Sequence, residues 1–234
     1  MSSRRRAAAA APIDEVAARM EAIADRLPPD DGVARFNDLY LAVTREVARE
    51  ARATAFEDVE FVAELDVAFA GLFFAADDAV EAGRLPSRAW RPLFEARSRR
   101  RVAPIQFALC GMNAHINYDL ALALVSTHDR AGLKLRRRSA QHRDYVRVNA
   151  ILDRVERKVK KRFATGLVGV ADEALGRVDD VVAMWSVARA RDTAWAHAET
   201  LWAIRDLRAL RESFLLALSR MVGLAGRGLL VPTL

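Results

Sequence analysis

The chain has 234 residues, of which 37 are Lys or Arg and 31 are Asp or Glu, so its formal net charge is +6. A chain of this length can bury roughly 70% of its unfolded surface in one large domain or two small ones. The single Cys110 excludes a disulfide scaffold and a cysteine-rich metal site, and it favours a reducing, cytoplasmic location. No stretch approaches the roughly 18 to 20 apolar residues of a membrane span, so we expect a soluble protein.

Residues 1–11 combine three arginines with a run of five alanines and lack the apolar region of a signal peptide, so we interpret them as a disordered tail. Residues 12–227 show helical periodicity without alternating strands or a long linker, which predicts one all-α, multihelical, bundle-like domain. Residues 228–234 are expected to form a C-terminal tail. The predicted helices cover 12–27, 33–53, 57–83, 88–97, 104–126, 143–164, 170–204 with a break near 176–179, and 206–226.

Positive charge is concentrated between Lys134 and Arg162, a segment that contains twelve Lys or Arg residues and only three acidic residues. Such a stripe can attract nucleic acid or anionic lipid, and it can also be an ordinary solvated helix face. We favour the solvated face and expect no nucleic-acid partner, because no aromatic residues alternate with the charges and no nucleic-acid-binding motif accompanies them.

The most informative segment is the apolar helix from Gln106 to Leu124, predicted to lie at the centre of the domain and carrying a His-Ile-Asn-x-Asp-Leu motif. Unpaired polar groups are costly to bury, so its polar residues need partners. Helical geometry places His115 and Asp119 on one face with Met112, and it places Gln106, Asn113 and Asn117 nearly opposite. The His-x-x-x-Asp spacing fits a histidine oriented by a carboxylate for acid–base chemistry, two metal ligands, or a purely local hydrogen bond.

Other helices contribute further candidates. Asp66 falls on the apolar side of its helix, and we place it with His115, Asp119 and Asn113 as candidate catalytic residues. A dinuclear or mononuclear metal site would draw on Asp66, Asp119, Asp192 and Glu199, although we favour ion pairs with arginines as the explanation of these acids. The candidate ligand-binding residues are Arg97, which could bind an anion at one end of a pocket, and Met112, Asn149, Trp185, Asp192 and Trp195.

Several enzyme classes are excluded because the sequence lacks their characteristic motifs. The chain has no glycine-rich phosphate loop, no G-x-S-x-G elbow and no H-E-x-x-H zinc motif. Cys110 lies between Leu109 and Gly111 in the apolar helix, so we interpret it as a core thiol rather than a nucleophile.

Five segments together carry a resemblance to a known family: Phe36–Thr44, Trp90–Phe94, Gln106–Leu109, Gly111–Leu120 and Asp144–Asn149. The chain resembles the domain of unknown function 5995 family, found largely in actinobacteria, over most of residues 30–220. The His-Ile-Asn-x-Asp-Leu core is the most specific part of the resemblance. The resemblance implies a helical domain of unassigned activity.

Our leading hypothesis is an enzyme that handles a small, partly apolar molecule in a pocket between helices. His115 would act as general acid or base oriented by Asp119, and Asp66 or Asn113 would polarise substrate or water. The alternatives are a noncatalytic ligand-binding or protein-interaction module and a metal-dependent hydrolase. The sequence indicates no particular cofactor, metal or oligomeric state.

Overall fold

Helices form the regular structure throughout the residues that the computed structural model describes, which are 3–53, 56–166 and 186–232. In chain order they are α1 (Ser3–Arg26), α2 (Gly32–Ala53), α3 (Val59–Glu81), α4 (Arg91–Ala96), α5 (Pro104–Ala114), α6 (Leu120–Arg130), α7 (Ala140–Gly166), α8 (Val187–Ala203) and α9 (Arg208–Leu229). A π-helical segment, His115–Asp119, joins α5 directly to α6. The all-α, bundle-like prediction is confirmed.

Two predicted boundaries differ from the structure. Helix α1 already begins at Ser3, so the alanine run expected in a disordered tail is helical. Alanine has the highest helix propensity, and Ala10 and Ile13 are buried in an apolar cluster with Val47 and Ala51 of α2. At the other end, α9 continues to Leu229. The predicted break near 176–179 lies outside the described residues.

The helix formed by α5, the π-helical segment and α6 has neighbours along its whole length. Helix α5 packs against α2 and α9, whereas α6 packs against α3 and α8. One large apolar cluster surrounds α5, and a second surrounds α6. Val43, Phe69 and Met112 pack against both clusters, so the region around the π-helical segment lies where the two clusters meet.

Close packing between α2 and α5 depends on a glycine. A Cβ atom at Gly111 would overlap the ring of Phe36 on α2. The absence of a side chain at Gly111 therefore lets α2 approach α5 and brings Phe36 next to the π-helical segment.

The start of α3 is fixed by an acid from α7. The buried Asp144 carboxylate accepts hydrogen bonds from the backbone N–H groups of Glu57 (2.9 Å) and Asp58 (2.7 Å). The Asp58 carboxylate in turn accepts from the N–H of Phe61, which caps α3.

Among the described helices, none combines the length and hydropathy that crossing a membrane requires.

Candidate functional site

The π-helical segment begins at His115 and ends at Asp119, the two residues of the predicted pair. Nδ1 of His115 lies 3.0 Å from Oδ2 of Asp119, and both side chains are buried. The same Oδ2 accepts a hydrogen bond of 2.8 Å from the indole N–H of Trp90. Because an ionised carboxylate only accepts, the proton of a neutral His115 lies on Nδ1 and leaves Nε2 as an acceptor. Single π-helical turns are rare and occur frequently at functional sites.

Aromatic rings surround the imidazole. The ring of Phe69 stacks on His115 with centroids 3.5 Å apart and an interplanar angle of 6°. Tyr40 meets the imidazole edge-on at a centroid distance of 4.6 Å, and Phe36 does so at 5.8 Å. The indole of Trp90 lies 5.8 Å away. This enclosure leaves His115 only 2% exposed and fixes the plane of its ring.

Three polar atoms at this site are buried without a hydrogen-bond partner in the structure: Nε2 of His115, the hydroxyl of Tyr40 and Oδ2 of Asp66. Tyr40 contacts His115 directly, and Asp66 is close enough for its charge to act on the Tyr40 hydroxyl. Each unsatisfied buried group of this kind costs about 1 to 3 kcal/mol. Such groups are retained where a water molecule or a ligand supplies the missing hydrogen bonds.

Burial sets the protonation of these groups. It raises the pKa of Asp66 from 3.8 to about 7, so this carboxyl can exchange a proton near neutral pH. Burial lowers the pKa of His115, and the adjacent Asp119 carboxylate only partly opposes this effect. Burial raises the pKa of Asp119, and the hydrogen bonds from His115 and Trp90 only partly oppose this effect. The pKa of Tyr40 is raised by burial and by the charges of Asp66 and Asp119.

The other polar residues of the central helix serve packing on its opposite side. Gln106 accepts from the N–H of Ala103 and donates to the carbonyl groups of Leu229 and Val231, which fastens the end of α9. Asn113, predicted with His115 as a catalytic residue, instead donates to the carbonyl of Val222 on α9 at 2.9 Å. Its side-chain oxygen accepts from Asn117.

The candidate ligand-binding residues do not form one site. Arg97 forms an ion pair with Asp31 through a 2.7 Å hydrogen bond. Asn149 accepts from the guanidinium of Arg191, and Asp192 is exposed. Asn149 lies on α7 and Asp192 on α8, and of the described candidate ligand-binding residues only Met112 packs against both apolar clusters that meet at the π-helical segment.

Two tryptophans complete the set of candidate ligand-binding residues. Trp195 is buried and donates from its indole N–H to Glu199 at 3.1 Å. It belongs to the apolar cluster around α6, whereas Phe36 and Trp90 belong to the cluster around α5. Trp185 lies outside the described residues.

Sequence reasoning missed the roles of three aromatic residues and of Arg191. It placed Trp90 only in a segment that carries the family resemblance, and it did not assign Tyr40 or Phe69 to the site. The buried Arg191 donates to Asn149 and to the carbonyl of Tyr145, and its guanidinium lies 4.0 Å from the ring centroid of Tyr145. A motif search cannot find these residues, since each acts through a helix distant in the sequence.

Carboxylates cluster elsewhere, at Asp77, Asp78 and Glu81 on α3. In this cluster Arg26 pairs with Asp77 and Glu81, while Arg19 pairs with Asp78. The arrangement is therefore explained as an ion-pair network between α1 and α3. The acids predicted as metal ligands do not form one cluster: Asp66 and Asp119 lie at the His115 site, whereas Asp192 is exposed on α8. Glu199, also on α8, pairs with Arg137.

A surface cleft of about 350 Å³ lies between α6 and the turn from α8 to α9. It is lined by apolar side chains of α6 and α8 and by Asp129, Arg205, Asp206 and Arg211. None of the candidate catalytic residues lines this cleft.

The fold and the site define an all-helical protein with a histidine–aspartate pair held in a π-helical segment at its core. The model of the family of unknown function DUF5995 matches residues 13–232, so the chain belongs to this family. This membership confirms the resemblance stated from the sequence. Among curated proteins and among solved structures, no significant match to the chain is found.

Proposed function

We propose that this protein is an enzyme that acts on a small, partly apolar molecule by proton transfer at Nε2 of His115. One observation carries the proposal: Nδ1 is held by Asp119, whereas the buried Nε2 has no hydrogen-bond partner. A base oriented through one nitrogen and free at the other is the arrangement that general acid–base catalysis requires. Asp119 orients the ring, and Trp90 orients Asp119.

Asp66 is the proposed second proton-transfer group. Its pKa of about 7 allows it to be either protonated or ionised under neutral conditions, which suits a general acid. The Asp66, Phe69 and Met112 side chains are partly exposed, in contrast to His115. A substrate would enter on this side and displace Phe69 from its stacking position on the imidazole. The aromatic shell would bind the apolar part of the molecule.

A noncatalytic ligand-binding module is the second candidate. The enclosure of the imidazole by five aromatic rings, the fifth being Phe73, supports it, because such packing also suits a polar network that only fixes how the helices meet. A metal-dependent hydrolase has less support, since only Asp66 and Asp119 of the acids considered for it lie at the His115 site, whereas Asp192 is exposed and Glu199 pairs with Arg137.

The test combines binding with turnover. A fragment library of small esters, amides, alcohols and carboxylates is screened by thermal shift, and each stabilising compound is incubated with the protein and followed by mass spectrometry. We expect at least one compound to be chemically changed by the wild type and to bind His115→Gln without being changed. The matched control is His197→Gln, since His197 is a partly exposed histidine on α8 beside Phe214.

The outcomes separate the candidates. Equal turnover by His115→Gln would remove His115 from the reaction. Binding without turnover by either protein would favour the noncatalytic module. Loss of folding in both His115→Gln and Asp119→Asn, seen by circular dichroism, would make the pair a structural network. Stoichiometric metal in protein prepared without chelator would favour the hydrolase.

We also propose a cytoplasmic location and no nucleic-acid partner. The single Cys110 is a buried free thiol. Described arginines of the basic stripe pair with acids from other helices: Arg137 with Glu199, Arg143 with Glu57, and Arg154 with Glu50. Pairing of this kind lowers the charge available for phosphate groups.

A further inference from the structure

The cleft between α6 and the turn from α8 to α9 has no part in the acid–base function proposed for His115. Its volume of about 350 Å³ lies at the lower end of the range of small-molecule sites. A water molecule occupies about 30 Å³ in the liquid, so the cleft has room for about a dozen groups of that size. A ligand of roughly ten non-hydrogen atoms therefore fits this volume.

One side of the cleft is apolar. Leu122 and Val125 of α6 and Leu201 of α8 line it, and we call these three side chains the apolar floor. Leu201 is buried, whereas Leu122 and Val125 are partly exposed. A ligand with a hydrocarbon chain would remove the exposed part of the apolar floor from water, which favours binding.

Arg211 of α9 is the charged group of the cleft that lacks a partner in its own chain. Its side chain is partly buried, and within the described part of the chain no group accepts a hydrogen bond from its guanidinium or forms an ion pair with it. A guanidinium has five N–H donors and binds a carboxylate through two parallel hydrogen bonds. Partial burial strengthens the attraction between Arg211 and an anion relative to a fully exposed arginine.

The other charges of the cleft are engaged or hydrated. Arg205 donates to the carbonyl of Trp202 at 2.8 Å, and its guanidinium lies 4.8 Å from the centroid of the indole ring. It also lies 3.8 Å from the carboxylate of Asp206. Asp129 is exposed, so water solvates its carboxylate. A ligand therefore gains most by binding Arg211, and the two acids disfavour a second negative charge on that ligand.

We propose that this cleft binds a small apolar monocarboxylate, with the carboxylate on Arg211 and the hydrocarbon chain on the apolar floor. None of the candidate catalytic residues lines the cleft. The ligand site is therefore separate from His115, and it exists whether or not His115 transfers protons.

Titration calorimetry of the full-length protein with sodium octanoate tests the proposal. We expect one octanoate to bind with a dissociation constant below about 1 mM, a value ordinary for a ligand of this size. Arg211→Gln should weaken binding about tenfold or more, because the charge-assisted hydrogen bonds are lost. Arg211→Lys keeps the charge without the paired donors and should weaken binding less.

The matched control is Arg208→Gln. Arg208 is also on α9, but its side chain is 91% exposed, pairs with Glu212 and lies outside the cleft, so this variant should bind octanoate as the wild type does. The absence of octanoate binding by the wild type would overturn the proposal. Equal binding by Arg211→Gln and the wild type would overturn it as well.

A series of probes tests the chemical class of the ligand. From butanoate through hexanoate to octanoate, each added CH₂ should raise the affinity about two- to fourfold. Octylammonium carries the opposite charge on the same chain and should bind at least about tenfold more weakly than octanoate. Octanedioate should also bind more weakly than octanoate. Tighter binding of either probe, or an affinity that is independent of chain length, would contradict an apolar monocarboxylate.

Protection of an engineered cysteine locates the bound octanoate. Ser126 is exposed and lines the cleft, so saturating octanoate should slow the reaction of Ser126→Cys with iodoacetamide. Ser213→Cys is the control, because Ser213 is exposed on α9 outside the cleft, and Cys110 is buried. His115→Gln should bind octanoate as the wild type does. Equal labelling of Ser126→Cys with and without octanoate, or weakened binding by His115→Gln, would place octanoate elsewhere and overturn the proposal.

Discussion

Replacement of Asp66 by Asn should change how the stability of the protein depends on pH. Burial raises the pKa of Asp66 from 3.8 to about 7. Between these two values the folded state binds more protons than the unfolded state, so the contribution of Asp66 to stability falls as the pH rises from about 4 to about 7. Asn has nearly the same shape and cannot ionise, which removes this contribution.

The pKa difference sets the size of the effect. A pKa difference of one corresponds to about 1.4 kcal/mol, so the difference at Asp66 gives an upper limit of about 4 kcal/mol. The Asp66 side chain is partly exposed, and solvent screening reduces this limit. We therefore expect the stability of Asp66→Asn relative to wild type to increase by about 2 kcal/mol between pH 4.5 and pH 8.

Urea denaturation followed by circular dichroism at pH 4.5, 6 and 8 measures this difference. Asp38→Asn is the matched control, because it makes the same substitution at an acid that is exposed on α2. A constant difference for Asp66→Asn, or one that decreases as the pH rises, would refute the burial of an ionisable Asp66 carboxyl at this site.

Three further changes test the packing around the site. Gly111→Ala should lower the free energy of unfolding in urea by about 1 to 3 kcal/mol, because the new methyl group overlaps Phe36. The control Gly71→Ala has open space around it and should stabilise the protein by up to about 1 kcal/mol. Equal effects of the two substitutions would contradict the close approach of α2 to α5. Cys110 should react with a thiol reagent only after unfolding, since burial raises its pKa to about 12, and rapid labelling of folded protein would contradict that burial. Asp144→Asn should lower the thermal midpoint by removing charge-assisted hydrogen bonds at the start of α3, and an unchanged midpoint would show that they contribute little.

The local part of the site could be predicted from the sequence. His115 and Asp119 are four residues apart, and this spacing brings their side chains together in any helical arrangement. Helical periodicity also separated them from Gln106, Asn113 and Asn117, which the structure shows bound to α9 or to each other. The assignment of Asn113 as a catalytic residue conflicts with that separation, because its amide is engaged by Val222 on the far side of the helix.

The sequence by itself determined the helical class and the position of the histidine–aspartate pair, since both depend on residues close together in the chain. Only the tertiary structure decided what surrounds the pair. Trp90, the residue before α4, donates to Asp119. Phe69 of α3 stacks on His115, and Tyr40 of α2 packs edge-on against the same ring. Periodicity shows which residues of a helix point inward, but the neighbour that each one meets depends on how the helices pack.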